Sequence, residues 1–477
     1  MKYSIIGHDR NTAVLDMLIA LLPDEKHELC NREDADCVST LTMSQGFVAA
    51  SVEICRNGIK TQGECVEPAP SEGEERKRRI SYAVKTALFK ALLPHLGKNP
   101  PWGSLTGVKP AKPVRVFMEQ GNDCDKAVKW LTDRYFVSPY RAELCVRAAE
   151  AALSTEKNLL ADEVQLYLGI PFCPSKCAYC SFVSNDMVKW GKLIAPYHTA
   201  LLEEVIATGK MLKRERKKIG SVYIGGGTPT TLDEGQLDAL ISCIKNNIDL
   251  SVCREFTVEA GRPETISEEK LRVFAKHGID RISINPQTMN DSVLAGVGRK
   301  HTVEDIKFAF ALARKTGNFI INMDLIAGLP GDDGEGLLKS VTEVVALKPE
   351  NITIHCLARK KGAPLRFGKT GDVTEDELNA CYKVLEENGY EPYYLYRQKY
   401  SAGGLENVGF CKDGKRSHYN ICMMEEIGDV VALGAGGVSK LCFDAGEKII
   451  RISNPKYPVE YIERAKSIAE TKESLNL

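Results

Sequence analysis

The chain has 477 residues, 43% of them hydrophobic and 27% charged, the profile of a globular protein long enough for more than one domain. Its 63 Lys and Arg balance 64 Asp and Glu, so no global field favours nucleic acid or an anionic membrane. No apolar run is long enough to span a bilayer, Met-Lys-Tyr-Ser-Ile-Ile-Gly-His carries no secretory signal pattern, and the expected location is cytoplasmic.

Residues 1–160 read as a separate region. Strands are expected over 3–6 and 48–54, and 67–75 reads as a linker or loop. Ile80, Ala83, Val84, Ala87, Leu88, Ala91 and Leu92 then mark one face of a helix. Lys98-Asn-Pro-Pro-Trp-Gly103 ends it, and two further helices follow over roughly 125–135 and 139–153. No catalytic constellation is visible here. The charge runs 74–79 and 210–218 mix signs or lie on helical stretches, and read as solvated faces.

From Val164 the pattern becomes alternating strands and helices, with strands expected over 164–170, 221–225, 255–259, 281–285, 319–325 and 351–355. Such alternation implies a parallel sheet with right-handed crossovers. Six units suggest an incomplete (β/α)6 barrel, with chemistry at the C-terminal strand ends. The domains expected are 1–160, a core over 161–375, and a less regular, polar and aromatic region over 376–477.

The first expected strand leads into Phe172-Cys-Pro-Ser-Lys-Cys-Ala-Tyr-Cys180. Cys173, Cys177 and Cys180 can bind three irons of a 4Fe–4S cluster and leave the fourth open for a chelating ligand. Structural zinc is the rival, but His198 is the only nearby histidine and no second CxxC completes a ribbon. The chain holds 16 cysteines, read as free thiols in a reducing compartment, a usage an anaerobic lifestyle would tolerate.

Gly225-Gly-Gly-Thr-Pro-Thr230 ends the second strand, where glycines let backbone approach a ligand; the phosphate-loop pattern is absent. Glu259 ends the third strand and suits ribose hydroxyls, or is a helix-capping or surface carboxylate. Gln287, Arg299 and Asp324 lie at or beyond the fourth and fifth strands. Asp324, inside an apolar strand, needs a partner; Arg299 is one candidate, and Arg also suits carboxylate ligands.

With these residues the chain resembles the radical S-adenosylmethionine superfamily, and more narrowly the oxygen-independent coproporphyrinogen III oxidase group. The shared run is Tyr167 through Cys180, Gly226-Gly-Thr-Pro-Thr, Glu259, Gln287, Arg299 and Asp324-Leu-Ile-Ala-Gly-Leu-Pro. Pro101-Trp-Gly-Ser-Leu-Thr-Gly107 and Leu433-Gly-Ala-Gly-Gly-Val-Ser-Lys440 resemble its longer, coproporphyrinogen dehydrogenase-like members. The resemblance implies an incomplete radical-SAM barrel between an N-terminal α/β domain and a C-terminal α+β domain.

It also implies a 4Fe–4S cluster on Cys173, Cys177 and Cys180, with S-adenosylmethionine against Tyr167, Gly226 and Glu259. Gly227, Thr228, Gln287, Arg299, Asp324 and Ala358 match positions that contact a second S-adenosylmethionine. The implied reaction is radical: one electron cleaves the sulfonium, a 5′-deoxyadenosyl radical removes a propionate β-hydrogen, and loss of carbon dioxide and an electron leaves a vinyl group. A donor such as flavodoxin or ferredoxin would supply electrons. Arg359, Lys360 and Lys361 are candidate propionate partners.

Two departures stand out. Phe182 occupies the position of the oxidase's fourth cysteine, as in the related heme chaperones. The chaperones' His-Asn-x-x-Tyr-Trp is replaced by His418-Tyr-Asn-Ile-Cys-Met-Met424, with no Trp. A heme chaperone is therefore the competing reading. A radical enzyme acting on tRNA, with the N-terminal region as RNA module, is a third, which the charge balance disfavours.

Overall fold

The computed structural model describes residues 1–477 except 71, 183–184, 361, 368–370 and 444–447. The chain divides into two compact units, Met1–Val146 with Arg397–Leu405, and Arg147–Tyr396 with Glu406–Leu477.

In the first unit a five-stranded sheet runs in the order Glu28–Leu29, Lys2–Ile6, Cys37–Ser44, Phe47–Arg56, Ile59–Pro68. Lys2–Ile6 pairs in parallel with both neighbours, and the remaining pairs are antiparallel. The helix Glu74–Leu92 lays Ile80, Ala83, Val84, Ala87, Leu88, Ala91 and Leu92 on the sheet, as their spacing requires. Gly63 lets it come close, since a Cβ there would stand 2.1 Å from the Ala87 carbonyl oxygen. The expected linker shrinks: its first two residues end a strand and Glu74 begins the helix.

The second unit carries the six expected parallel strands side by side in chain order: Glu163–Ile170, Lys218–Gly226, Glu255–Glu259, Arg281–Ser283, Ile320–Ala327 and Asn351–Cys356. Their interiors are buried on both faces, polar Gln165, Ser221 and Thr353 among them, as parallel strands covered by helices must be. Glu406–Cys411 pairs antiparallel with the sixth strand, and Glu391–Arg397 lies beyond it. At the other end Asp429–Leu433 pairs in parallel with the first strand.

The glycine-rich turn after Leu433 packs on that first strand. Gly434 (φ 82°) has no room for a Cβ, which would stand 2.3 Å from the Gly169 carbonyl oxygen. Glu204, on the helix Ile194–Arg214, accepts from Gly434 N (2.8 Å), Asn454 Nδ2 (2.8 Å) and Tyr461 OH (2.5 Å), and so docks the C-terminal helices. All sixteen cysteines are free thiols.

Candidate functional site

The cysteine loop leaves the first core strand through the short strand Phe172–Cys173. Ala178 N donates to Val297 O (3.0 Å) and Ser175 Oγ to Gly298 O (3.1 Å), fixing the loop on the segment beyond the fourth strand. Cys173 and Cys177 are buried and Cys180 is half-buried. Burial raises the Cys180 thiol, and the two neighbouring thiols add to the rise.

Side chains around the loop donate to these sulfurs, Thr228 and Arg262 among them. Thr228 Oγ1 lies 3.4 Å from Cys173 Sγ. Arg262 Nη2 lies 2.9 Å from Cys177 Sγ and 2.9 Å from Ser175 O. Arg262 also pairs with Glu264 (3.4 Å), and Glu264 accepts from His301 Nδ1 at 2.6 Å. Burial would raise the Glu264 carboxyl, but His301, a backbone hydrogen bond and the Arg262 charge together hold it down at about 2. Arg299 contacts His301 Nε2 (3.3 Å), donates to Asn285 O (2.5 Å), and reaches Tyr179 OH (3.2 Å) between two of the cysteines. His198, the zinc rival's only candidate, instead contacts the Gln236 carbonyl at 2.9 Å on a helix face.

The glycine turn is bound to the same loop by backbone. Gly227 N donates to Ile170 O and Thr228 N to Phe172 O, each at 2.7 Å. Gly226 has φ 105°, and a Cβ there would come within 3.1 Å of Ile170 N and 3.3 Å of Tyr167 OH. A Gly227 Cβ would stand 2.5 Å from the Phe172 carbonyl oxygen. Both positions therefore demand glycine and leave backbone exposed beside the thiols.

Tyr167, Tyr223 and Tyr419 form a face-to-face wall nearby, with Tyr223 and Tyr419 centroids 4.5 Å apart and Tyr167 at 6.3 Å from each. The Tyr223 hydroxyl donates to Glu259 Oε1. Burial, reinforced by the Asp324 carboxylate, pushes Glu259 up to about 7 against that hydrogen bond. The Tyr419 hydroxyl is buried with no hydrogen-bond partner among the described residues. An orphaned buried hydroxyl costs free energy that a bound ligand recovers.

Asp324 takes different partners from the one the sequence suggested. Asn322 Nδ2 donates to it at 2.8 Å and His355 Nε2 lies at 3.8 Å, whereas no ion pair joins it to Arg299 among the described residues. Burial works to raise Asp324, but His355, Asn322 and Thr353 together lower it further than burial raises it. Arg299 is drawn instead to the carbonyl and phenol beside the cysteine loop. Gln287 is buried and adopts φ 70°, held by backbone bonds to Asp324 O (2.9 Å) and from Ile326 N (2.8 Å). Such a conformation in a residue with a Cβ is strained, and strain of this kind gathers at functional sites.

Ala358 is buried just past the sixth strand, and Arg359 and Lys360 beyond it are exposed. Lys360 is within electrostatic reach of Cys180. Lys361 lies outside the described residues. Phe182 is 67% exposed. Arg262, Tyr223 and Tyr419 were not singled out from sequence. Tyr223 sits two residues before the glycine turn and so points to the same face of its strand as Gly225, which was a usable signal.

A ligand of the expected kind fits what is present. Three thiols share one loop, a cradle without side chains lies beside it, and an acidic and aromatic wall with an orphaned hydroxyl meets that cradle at Tyr167. Among the described residues no three metal-binding side chains converge on one ion, whereas cluster thiolates each take a separate iron.

The sequence profile of the Radical SAM superfamily matches residues 167–344. The oxygen-independent coproporphyrinogen-III oxidase-like protein HemZ of Bacillus subtilis is 35% identical over 467 residues, covering 95% of this chain and 93% of that protein. The heme chaperone HemW of Haemophilus influenzae is 30% identical over 309 residues, covering 63% of this chain and 76% of the chaperone. The solved structure of the coproporphyrinogen III oxidase HemN from Escherichia coli, a radical SAM enzyme, superposes with a TM-score of 0.52 at 20% identity, over 67% of this chain and 73% of that one; the likeness is one of fold.

Proposed function

This chain belongs to the coproporphyrinogen oxidase-like family of radical SAM proteins, and on that premise we propose that it converts propionate side chains of coproporphyrinogen III to vinyl groups by oxidative decarboxylation, giving protoporphyrinogen IX without oxygen. The observation that carries this reading is the junction of the three-thiol loop with the Tyr167–Tyr223–Tyr419 wall and Glu259. The family implies a 4Fe–4S cluster and S-adenosylmethionine, which together supply a carbon-centred oxidant for hydrogen abstraction.

The chain's own groups have separable tasks. Cys173, Cys177 and Cys180 would hold the cluster, with Thr228 and Arg262 donating to two of the sulfurs. Tyr167, Gly226 and Glu259 would seat the S-adenosylmethionine, with the tyrosine wall keeping water out. Gly227, Thr228, Gln287, Arg299, Asp324 and Ala358 would line a second S-adenosylmethionine. Asp324 is kept ionised by His355 and suits a cationic group. Arg359 and Lys360 would pair with propionates. Residues 376–477 would cover the substrate, as the reach of Tyr419 into the wall supports. A cytoplasmic setting and a donor such as flavodoxin or ferredoxin complete the proposal.

A second reading, heme binding without turnover, draws support from Phe182 and from the similarity to HemW. One anaerobic assay separates the two. The cluster is reconstituted and given reductant, S-adenosylmethionine and coproporphyrinogen III. Formation of 5′-deoxyadenosine together with vinyl-bearing porphyrinogen is expected. Deoxyadenosine without porphyrinogen change, with stable heme binding, would overturn the oxidase reading.

A further inference from the structure

The helix Glu74–Leu92 has a second face. Lys77, Arg78, Ser81 and Lys85 follow one another at helical spacing, away from the sheet. They line a pocket of about 380 Å³ with Arg10 and with Ser104–Gly107 of the Pro-Trp-Gly-Ser-Leu-Thr-Gly stretch, which the proposed reaction does not use. Four cations and one carboxylate, Glu74, face this space. Glu74 is already paired with Lys77 (2.5 Å), and Arg10 with the exposed Asp9 (2.8 Å).

Lys85 is the unusual member. It is half-buried, and burial lowers its ammonium from the ordinary lysine value. Among the described residues it has no hydrogen bond or ion pair. The acid acting on it, Asp16, is committed to Lys399 at 2.7 Å, and Lys399 repels Lys85. Thr106, which lines this pocket and also the neighbouring one beside Asp16, has a buried hydroxyl without a hydrogen-bond partner among the described residues. A partly desolvated ammonium and an orphaned hydroxyl both cost free energy, and an oxyanion is the kind of group that satisfies either. The surplus of positive charge favours a doubly charged anion over a single carboxylate. The volume is that of a small-molecule site.

We propose that this pocket of the N-terminal unit binds a phosphate group of a small molecule, with Lys85 and Thr106 as the anchoring pair. The proposal is independent of the porphyrinogen reading. The test is calorimetric titration of the full chain with inorganic phosphate at low ionic strength, with acetate and succinate as carboxylate arms and a short single-stranded RNA as a macromolecular arm. Saturable phosphate binding is expected, weakened about tenfold or more in Lys85→Met and measurably in Thr106→Val. Lys85→Met should also raise the unliganded melting temperature, because it removes an ammonium with no acceptor; this readout does not depend on the ligand. No saturable phosphate binding, equal affinity in both variants, or succinate or RNA binding that phosphate does not displace would overturn it.

Discussion

Arg262 Nη2 stands 2.9 Å from Cys177 Sγ, and its guanidinium is otherwise held by the Ser175 carbonyl and by Glu264. A cationic donor on a cluster thiolate favours the state of the cluster with more negative charge. Arg262→Gln is therefore expected to shift the cluster potential downward by several tens of millivolts while leaving iron content intact. A redox titration followed by electron paramagnetic resonance reads this directly. An unchanged potential would mean that the contact does not survive cluster binding. Cys177→Ala, by contrast, should lose the reconstituted cluster altogether.

Glu259 ionises near neutrality because it is buried beside Asp324. A carboxyl raised from its ordinary value to about 7 stabilises the free protein fully below about pH 4.5, and that contribution disappears as the pH rises through 7. A cationic ligand prefers the ionised form. S-adenosylmethionine affinity should therefore increase about tenfold between pH 6 and pH 8, with a proton released on binding at pH 6. Calorimetry in buffers of different ionisation enthalpy measures the proton. Glu259→Gln should flatten the profile; a wild-type profile already flat would show that Glu259 does not face the ligand.

Tyr419→Phe deletes only the orphaned hydroxyl. The free protein should become as stable or more so, by about 1 kcal/mol, because no hydrogen bond is lost and an unsatisfied polar atom goes. The thermal upshift given by S-adenosylmethionine should shrink. If the variant is less stable when free and the upshift is unchanged, the hydroxyl has a partner within the protein.

Glu163 accepts from Arg254 (2.5 Å), His418 (3.1 Å), Gln165 (3.2 Å) and Leu160 N (3.2 Å). Burial opposes ionisation, yet these donors hold the carboxyl down at about 2. Its contribution is present above about pH 4.5 and is lost as the pH falls toward 2. Glu163→Gln should cost about 2 kcal/mol in urea denaturation at pH 7 and remove part of the acid sensitivity between pH 4.5 and 2. Equal stability at pH 7 would show that the surrounding charges rearrange.

The core was legible because its strands carry the signal that parallel sheets impose. Along Glu163–Ile170 both Val164, Leu166, Leu168 and Ile170 on one face and Gln165 and Gly169 on the other are buried, and the observed bounds differ from the expected ones by one residue. The hairpin of the first unit was less so. Ile59–Pro68 buries only Gly63, Cys65, Glu67 and nearby half-buried positions, and its Lys, Gln and Glu residues leave no apolar alternation by which to expect a strand. Cys37–Ser44 and the helix Asn11–Leu21 were missed likewise. At the site, residues fixed by local backbone demand, such as Gly226 and Gly227, could be read in place. Arg262 and Tyr419 could not, because each meets its neighbours only across the fold, 85 residues from Cys177 in one case and in a C-terminal helix in the other. Asp324 was recognised as needing a partner, but the choice between His355 and Arg299 depends on how two strand ends align.

The parallel pairing of Asp429–Leu433 with Glu163–Ile170 has a consequence for synthesis. The strand that leads into the cysteine loop has one neighbour by the time Lys218–Gly226 emerges and gains the other only some two hundred residues later. Until then it is an apolar edge with unpaired amides and carbonyls, open to pairing with another nascent chain. Chains cut short before Asp429 should accumulate as insoluble material even though every cysteine and glycine of the site has already been made.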